Sequence, residues 1–131
     1  MKRIVAALFM LGLLSVAPAH AQQSMSGRWS GLGLQNEPTQ TWDVVVTFRP
    51  DGSALIDYPS LQCGGELRSE GRRGGVSFFR EHITYGPHCV NGGTVGVFPQ
   101  AGKLMWFWTA ENTNYPEMSA SAVLSRYTPI S

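Results

Sequence analysis

Three features of the sequence predict an all-β fold. Apolar residues recur with period two in a series of short runs, which marks strands buried on one face. Turn pairs rich in Gly and Pro separate those runs at close intervals. Beyond the N-terminal segment, no long run carries apolar residues at helical spacing. About eight evenly spaced short runs point to an antiparallel barrel or sandwich.

The runs can be taken in order. "SGRWSGLGL" (Ser26–Leu34) opens the series. "TWDVVVTF" (Thr41–Phe48) puts Trp42, Val44, Val46 and Phe48 on one face. "RPDG" (Arg49–Gly52) is a turn, because Pro presets one dihedral and Gly accepts the positive one. "SALIDY" (Ser53–Tyr58) runs back as the second arm of that hairpin. "GELRS" (Gly65–Ser69) and "VSFFREHI" (Val76–Ile83) flank a predicted turn at "EGRRGG". "TVGVF" (Thr94–Phe98) follows the connection "YGPHCVNGG" and leads into the turn "PQAG". "KLMWFWT" (Lys103–Thr109) is apolar on both faces, and the long loop "AENTNYPEM" separates it from "SASAVLSRY" (Ser119–Tyr127).

Residues 1–21 have the layout of a cleavable export signal. Lys2 and Arg3 make a basic start, Ile4–Val16 is an apolar or small run, and Ala19-His20-Ala21 fits the cleavage pattern. The run is too short for a membrane span, which needs about 20 residues. No Cys follows the cleavage point to carry a lipid. Residues 22–131 are therefore expected to form one soluble domain in the periplasm or outside the cell. Without Lys2 and Arg3 the formal net charge of +1 becomes −1. Such a balance offers no footprint for nucleic acid. The basic cluster Arg68, Arg72 and Arg73 reads as a solvated turn.

The two cysteines stand in "PSLQCGG" and "PHCVNGG". Export and an even count favour one Cys63–Cys89 disulfide. A redox pair would favour close spacing, and a structural zinc site would favour paired ligands. Neither pattern is present, although His82 and His88 with both thiols would formally make four ligands. No metal and no cofactor is expected. The adjoining glycines are expected to let backbones turn and approach beside the bridge.

Gly27-x-Trp29 in the first run, with Arg126 in the last, resembles the lipocalin and wider calycin pattern. The resemblance implies a small antiparallel barrel whose closed end holds Trp29 beneath the Arg126 side chain. A guanidinium stacked on an indole gives that pair a physical basis. The other lipocalin signature stretches are absent, and barrels this small tend to fill with their own side chains. The succession "YPSLQCGGEL", "FREHITYGPHCVNGG", "LMWFW" and "AVLSRY" also resembles a recurrent exported bacterial domain, a resemblance that brings no catalytic residue. "SGRW" is similar to the start of one type of exported protease inhibitor.

Catalytic motifs are sparse. No G-x-S-x-G elbow and no phosphate loop occurs. Glu81 shares a face with Phe79 and Ile83, so a core position would require it to be paired or neutral. The expected partner is an Arg such as Arg126 or Arg68. Trp42, Trp106, Trp108 and Tyr115 are large amphipathic rings suited to recognition. The sequence thus predicts a monomeric, non-catalytic binding module for a small apolar ligand or an envelope protein. Two alternatives stand beside it: a periplasmic inhibitor of proteases or lysozymes, and a small carboxylate-dependent hydrolase using Glu81.

Overall fold

A computed structural model describes residues Met25–Tyr127, so the expected signal segment lies outside the described residues. Eight antiparallel strands close into one barrel in sequence order: β1 Gly27–Asn36, β2 Gln40–Phe48, β3 Ala54–Tyr58, β4 Cys63–Arg73, β5 Val76–Tyr85, β6 Thr94–Gln100, β7 Lys103–Thr109 and β8 Ser119–Arg126. A single 3-10 turn, Pro59–Leu61, joins β3 to β4. Closure runs through β1 and β8, with Trp29 opposite Arg126 and Leu34 opposite Ser121. The predicted barrel is therefore the observed one, and the alternative sandwich is excluded. No helix among the described residues is long and apolar enough to cross a membrane.

Period-two alternation decides which side chains fill the barrel. β2 turns Trp42, Val44, Val46 and Phe48 inward, as its sequence predicts. β7 turns Leu104, Trp106 and Trp108 inward and leaves Met105 and Phe107 half-buried outside. Phe107 is covered in part because β6 has no side chain opposite it. A Cβ on Gly96 would lie 2.1 Å from the ring of Phe107. Along β1 the inward positions are Trp29, Gly31, Gly33 and Gln35, so small residues leave room for the rings of β2.

Two hairpins are tighter than the sequence predicts. β4 continues through Arg72 and Arg73, leaving a turn of two residues, Gly74 and Gly75, with φ of 61° and 82°. The run "EGRRGG" is thus mostly strand, and its arginines are exposed strand residues. The same shape recurs at Ala101 and Gly102, with φ of 53° and 81°, so β6 extends through Pro99 and Gln100. Consecutive positive φ values give the turn a twist that matches the strands, which lets pairing persist to the turn itself.

The up-and-down order gathers three connections and the chain ends at one end of the barrel and four connections at the other. At one end lie the β2–β3, β4–β5 and β6–β7 turns with both ends of the described chain. There Trp29 is almost wholly buried and the Arg126 guanidinium stands 4.3 Å from its ring centre. The Trp29 indole N–H donates to the Met25 carbonyl at 2.9 Å, and Arg126 donates to the Ser26 carbonyl at 2.6 Å. This end is closed. The connections 37–39, 59–62, 86–93 and 110–118 surround the other end.

Candidate functional site

At that second end the barrel interior changes from apolar to polar. Alternation carries Glu81 inward on β5 above Ser77 and Phe79, where it is 1% exposed. Its carboxylate accepts hydrogen bonds from the Tyr58 hydroxyl and, at 3.1 Å, from the Trp108 indole N–H. Burial pushes the Glu81 carboxyl up to about 7, against the opposing pull of those two hydrogen bonds. Burial, with the carboxylate beside it, also holds the Tyr58 phenol well above its usual range.

The ion pair expected for Glu81 is not formed. Arg126 lies at the closed end on Trp29, and Arg68 faces outward at 3.3 Å from Glu66. The neighbouring Arg80 points to the outer face, where it pairs with Glu70 at 3.2 Å. It also donates to the Gly92 carbonyl at 3.0 Å and so ties down the β5–β6 connection. Neutral donors on β3 and β7 replace the cation, because the strands facing Glu81 across the barrel carry no inward basic residue.

A second polar pair lies nearby. Gln35 accepts from the Trp42 indole N–H at 3.1 Å and donates to the Pro38 carbonyl at 3.2 Å. Trp42 stands edge-on to Tyr58, with ring centres 5.0 Å apart, and Trp106 packs behind both. These groups enclose a cavity of about 80 Å³ that opens between the loops. Its base is Glu81 and Tyr58, its walls are Trp42 and Trp108, and its rim includes Val90 and Met118. Outside it, Tyr115 is exposed on the β7–β8 loop and lines a groove of about 500 Å³ with Glu37 and Glu117.

The disulfide frames this end. Cys63 at the start of β4 bonds Cys89 in the β5–β6 connection, with their Cα atoms 6.1 Å apart. The glycines beside the bridge serve close approach: a Cβ on Gly65 would lie 2.0 Å from the His82 carbonyl oxygen. At Gly93 a Cβ would lie 2.2 Å from the Trp108 indole nitrogen. The second Gly-Gly pair therefore protects the hydrogen bond from Trp108 to Glu81.

Of the rings singled out in the sequence, Trp42 and Trp108 line the cavity, Trp106 is enclosed behind it, and Tyr115 stands at the mouth. Sequence reasoning missed Tyr58 and Gln35 as site residues. Both were accessible signals, since Tyr58 extends the inward series Ala54, Ile56 and Gln35 extends Trp29, Gly31, Gly33. His88, one of the four formal metal ligands in the sequence, lines the cavity. Compared with protein-family models, with curated proteins and with solved structures, the chain gives no match.

Proposed function

We propose that this protein is an exported, non-catalytic binding module whose open end receives a small, largely apolar ligand. The observation that carries the reading is the asymmetry of the barrel. One end is sealed by Trp29 and Arg126, while the other keeps a cavity with aromatic walls and a polar base. Pockets of that composition take an apolar body and fix it through a few placed polar groups. Binding is favoured over a two-carboxylate hydrolase because Glu81 is the sole carboxyl group lining the cavity among the described residues.

Native mass spectrometry on protein recovered from its own exporting host tests this directly. A small-molecule mass that leaves on denaturation supports the reading. A Val90→Trp substitution, which fills the cavity from its rim, should abolish that mass. Retention of the ligand by the filled variant would refute binding at the open end. A clean monomer mass would turn attention to the exposed Leu32, Leu34 and Val123 on the outside of β1 and β8, the surface an envelope protein would meet.

A further inference from the structure

We infer that the ligand of the open end carries a primary ammonium head on an apolar stem, with the head seated against Glu81 between Trp42, Tyr58 and Trp108. This rests on the binding reading above and names the chemical class it takes.

The first ground is charge balance. Glu81 is buried at the base of the cavity, yet no ion pair among the described residues involves it. A carboxylate away from water is held at a cost that a nearby cation relieves. The fold has already desolvated and oriented this carboxylate, so an arriving cation gains a prepared partner. Two of its lone-pair positions are taken by Tyr58 and Trp108, and an ionised carboxylate offers about four. The Tyr58 oxygen, having donated its proton, also keeps acceptor capacity, as does Gln35 Oε1. A primary ammonium has three donors and no acceptor, which suits that set.

The second ground is the wall. Tyr58 and Trp108 present their O–H and N–H edges to the carboxylate, so the cation–π contribution to an ammonium group falls to the Trp42 wall of the cavity. The third is the mouth. The four connections around the open end carry Glu37, Glu111 and Glu117 and no Lys or Arg, and Arg80, which reaches Gly92 from β5, is offset by its ion pair with Glu70. Arg28, Arg49, Arg72, Arg73, Lys103 and Arg126 all lie in or beside the turns and chain ends of the closed end. Field lines from this arrangement lead a cation to the open end and repel an anion. The apolar stem then lies along Val90 and Met118 toward Tyr115.

The probes are n-butylammonium and its neutral near-isostere 1-butanol, titrated into the intact protein and followed by the indole N–H resonances of Trp42 and Trp108. Wild type should bind butylammonium at least about tenfold more tightly than 1-butanol, the ratio one charge-assisted hydrogen bond provides. Glu81→Gln should bring the two affinities together. Equal affinities in wild type overturn the ammonium assignment and leave the binding reading standing, whereas binding of neither probe overturns both.

A second arm needs no substitution at Glu81. Butylammonium stays charged from pH 5.5 to 8.5, so its affinity should rise with pH as Glu81 ionises, with a midpoint near its value of about 7. That of 1-butanol should stay level. The titratable groups that line the cavity with Glu81 are Tyr58 on β3 and His88 on the β5–β6 connection. The inward residues of the other strands near it, Gln35, Trp42, Leu67, Val95, Trp108 and Ala120, do not titrate in this range. His88→Gln should therefore keep the profile, and a profile that disappears with His88 counts against the assignment.

Discussion

Replacing Glu81 with Gln removes a titration while keeping the side chain's shape. The amide oxygen can accept from Trp108, and the amide nitrogen can donate to the Tyr58 oxygen, so both interior contacts survive. What changes is the coupling between stability and pH. In the folded protein burial raises the Glu81 carboxyl from an ordinary 4.5 to about 7. Between those values the folded state holds a proton that the unfolded chain has lost. Stability must then fall as pH rises through that window, the reverse of a salt-bridged carboxylate. At about 1.4 kcal/mol for each pH interval of one, the gap from 4.5 to about 7 amounts to roughly 3 kcal/mol. The contribution is whole below about pH 4.5 and gone above about pH 7.

Urea unfolding at a series of pH values from 4.5 to 8.5 measures it. Every other titration is shared by the wild type and the Glu81→Gln variant, so the difference between the two curves isolates Glu81. The variant should gain relative to wild type as pH rises, by roughly 3 kcal/mol across the window. A difference that stays constant with pH would show that burial does not hold the proton on Glu81. A difference of opposite sign would mean that a cation pairs with Glu81 in the free protein. Either outcome refutes the reasoning from burial.

Three further predictions concern the frame around the site. Mutating Cys63 and Cys89 to Ala opens a closed segment with a sequence separation of 26. The expected loss is about 3.5 kcal/mol by the loop-entropy relation, read as a lower urea midpoint, with the variant's mass matching its formula without loss of two hydrogens. Gly93→Ala should displace the Trp108 indole and weaken its bond to Glu81, costing about 1–3 kcal/mol and shifting the Trp108 indole N–H resonance. At the closed end, Trp29→Ala should cost about 3–5 kcal/mol, but Arg126→Ala no more than about 1 kcal/mol, because the stacked guanidinium is exposed. Equal losses at the two positions would show that the exposed guanidinium stabilises that end as much as the buried indole and would refute the reasoning from burial.

Much of the barrel is legible in the sequence because its strands are buried on one face only. Each inward series reads as every second residue, and that is why β2 matches its predicted face residue by residue, whereas β7 is apolar on both faces and only the closed barrel decides that Leu104, Trp106 and Trp108 turn inward. The tight turns were less legible. "EGRRGG" has the composition of a loop, and only the conformational demands of a two-residue hairpin confine the turn to Gly74 and Gly75. The site is legible as a list of inward rings but not as a set of contacts. Glu81 is 23 residues from Tyr58 and 27 from Trp108, and their meeting depends on barrel closure, which no local pattern encodes. The expected Arg partner failed for the same reason. Chemical complementarity selects Arg, but the topology puts Arg126 at the far end and turns Arg68 and Arg80 outward.

The two ends of the barrel answer different demands, and the contrast bears on why Glu81 is there. At the closed end each polar group near Trp29 has a local partner, and the arginine covering it remains in contact with water. Such an arrangement stabilises the fold without burying a charge. At the open end an apolar residue in place of Glu81 would complete the inward series of β5 and avoid the cost of a buried carboxyl. Tyr58 and Trp108 would then lose their acceptor, but Phe and Leu at those positions would remove that need as well. A fold selected for stability alone has that simpler solution available within the same alternation. Local rules are broken where another requirement outweighs stability. Here the exception coincides with the cavity, the aromatic walls and the acidic mouth, and a cationic ligand accounts for all four together.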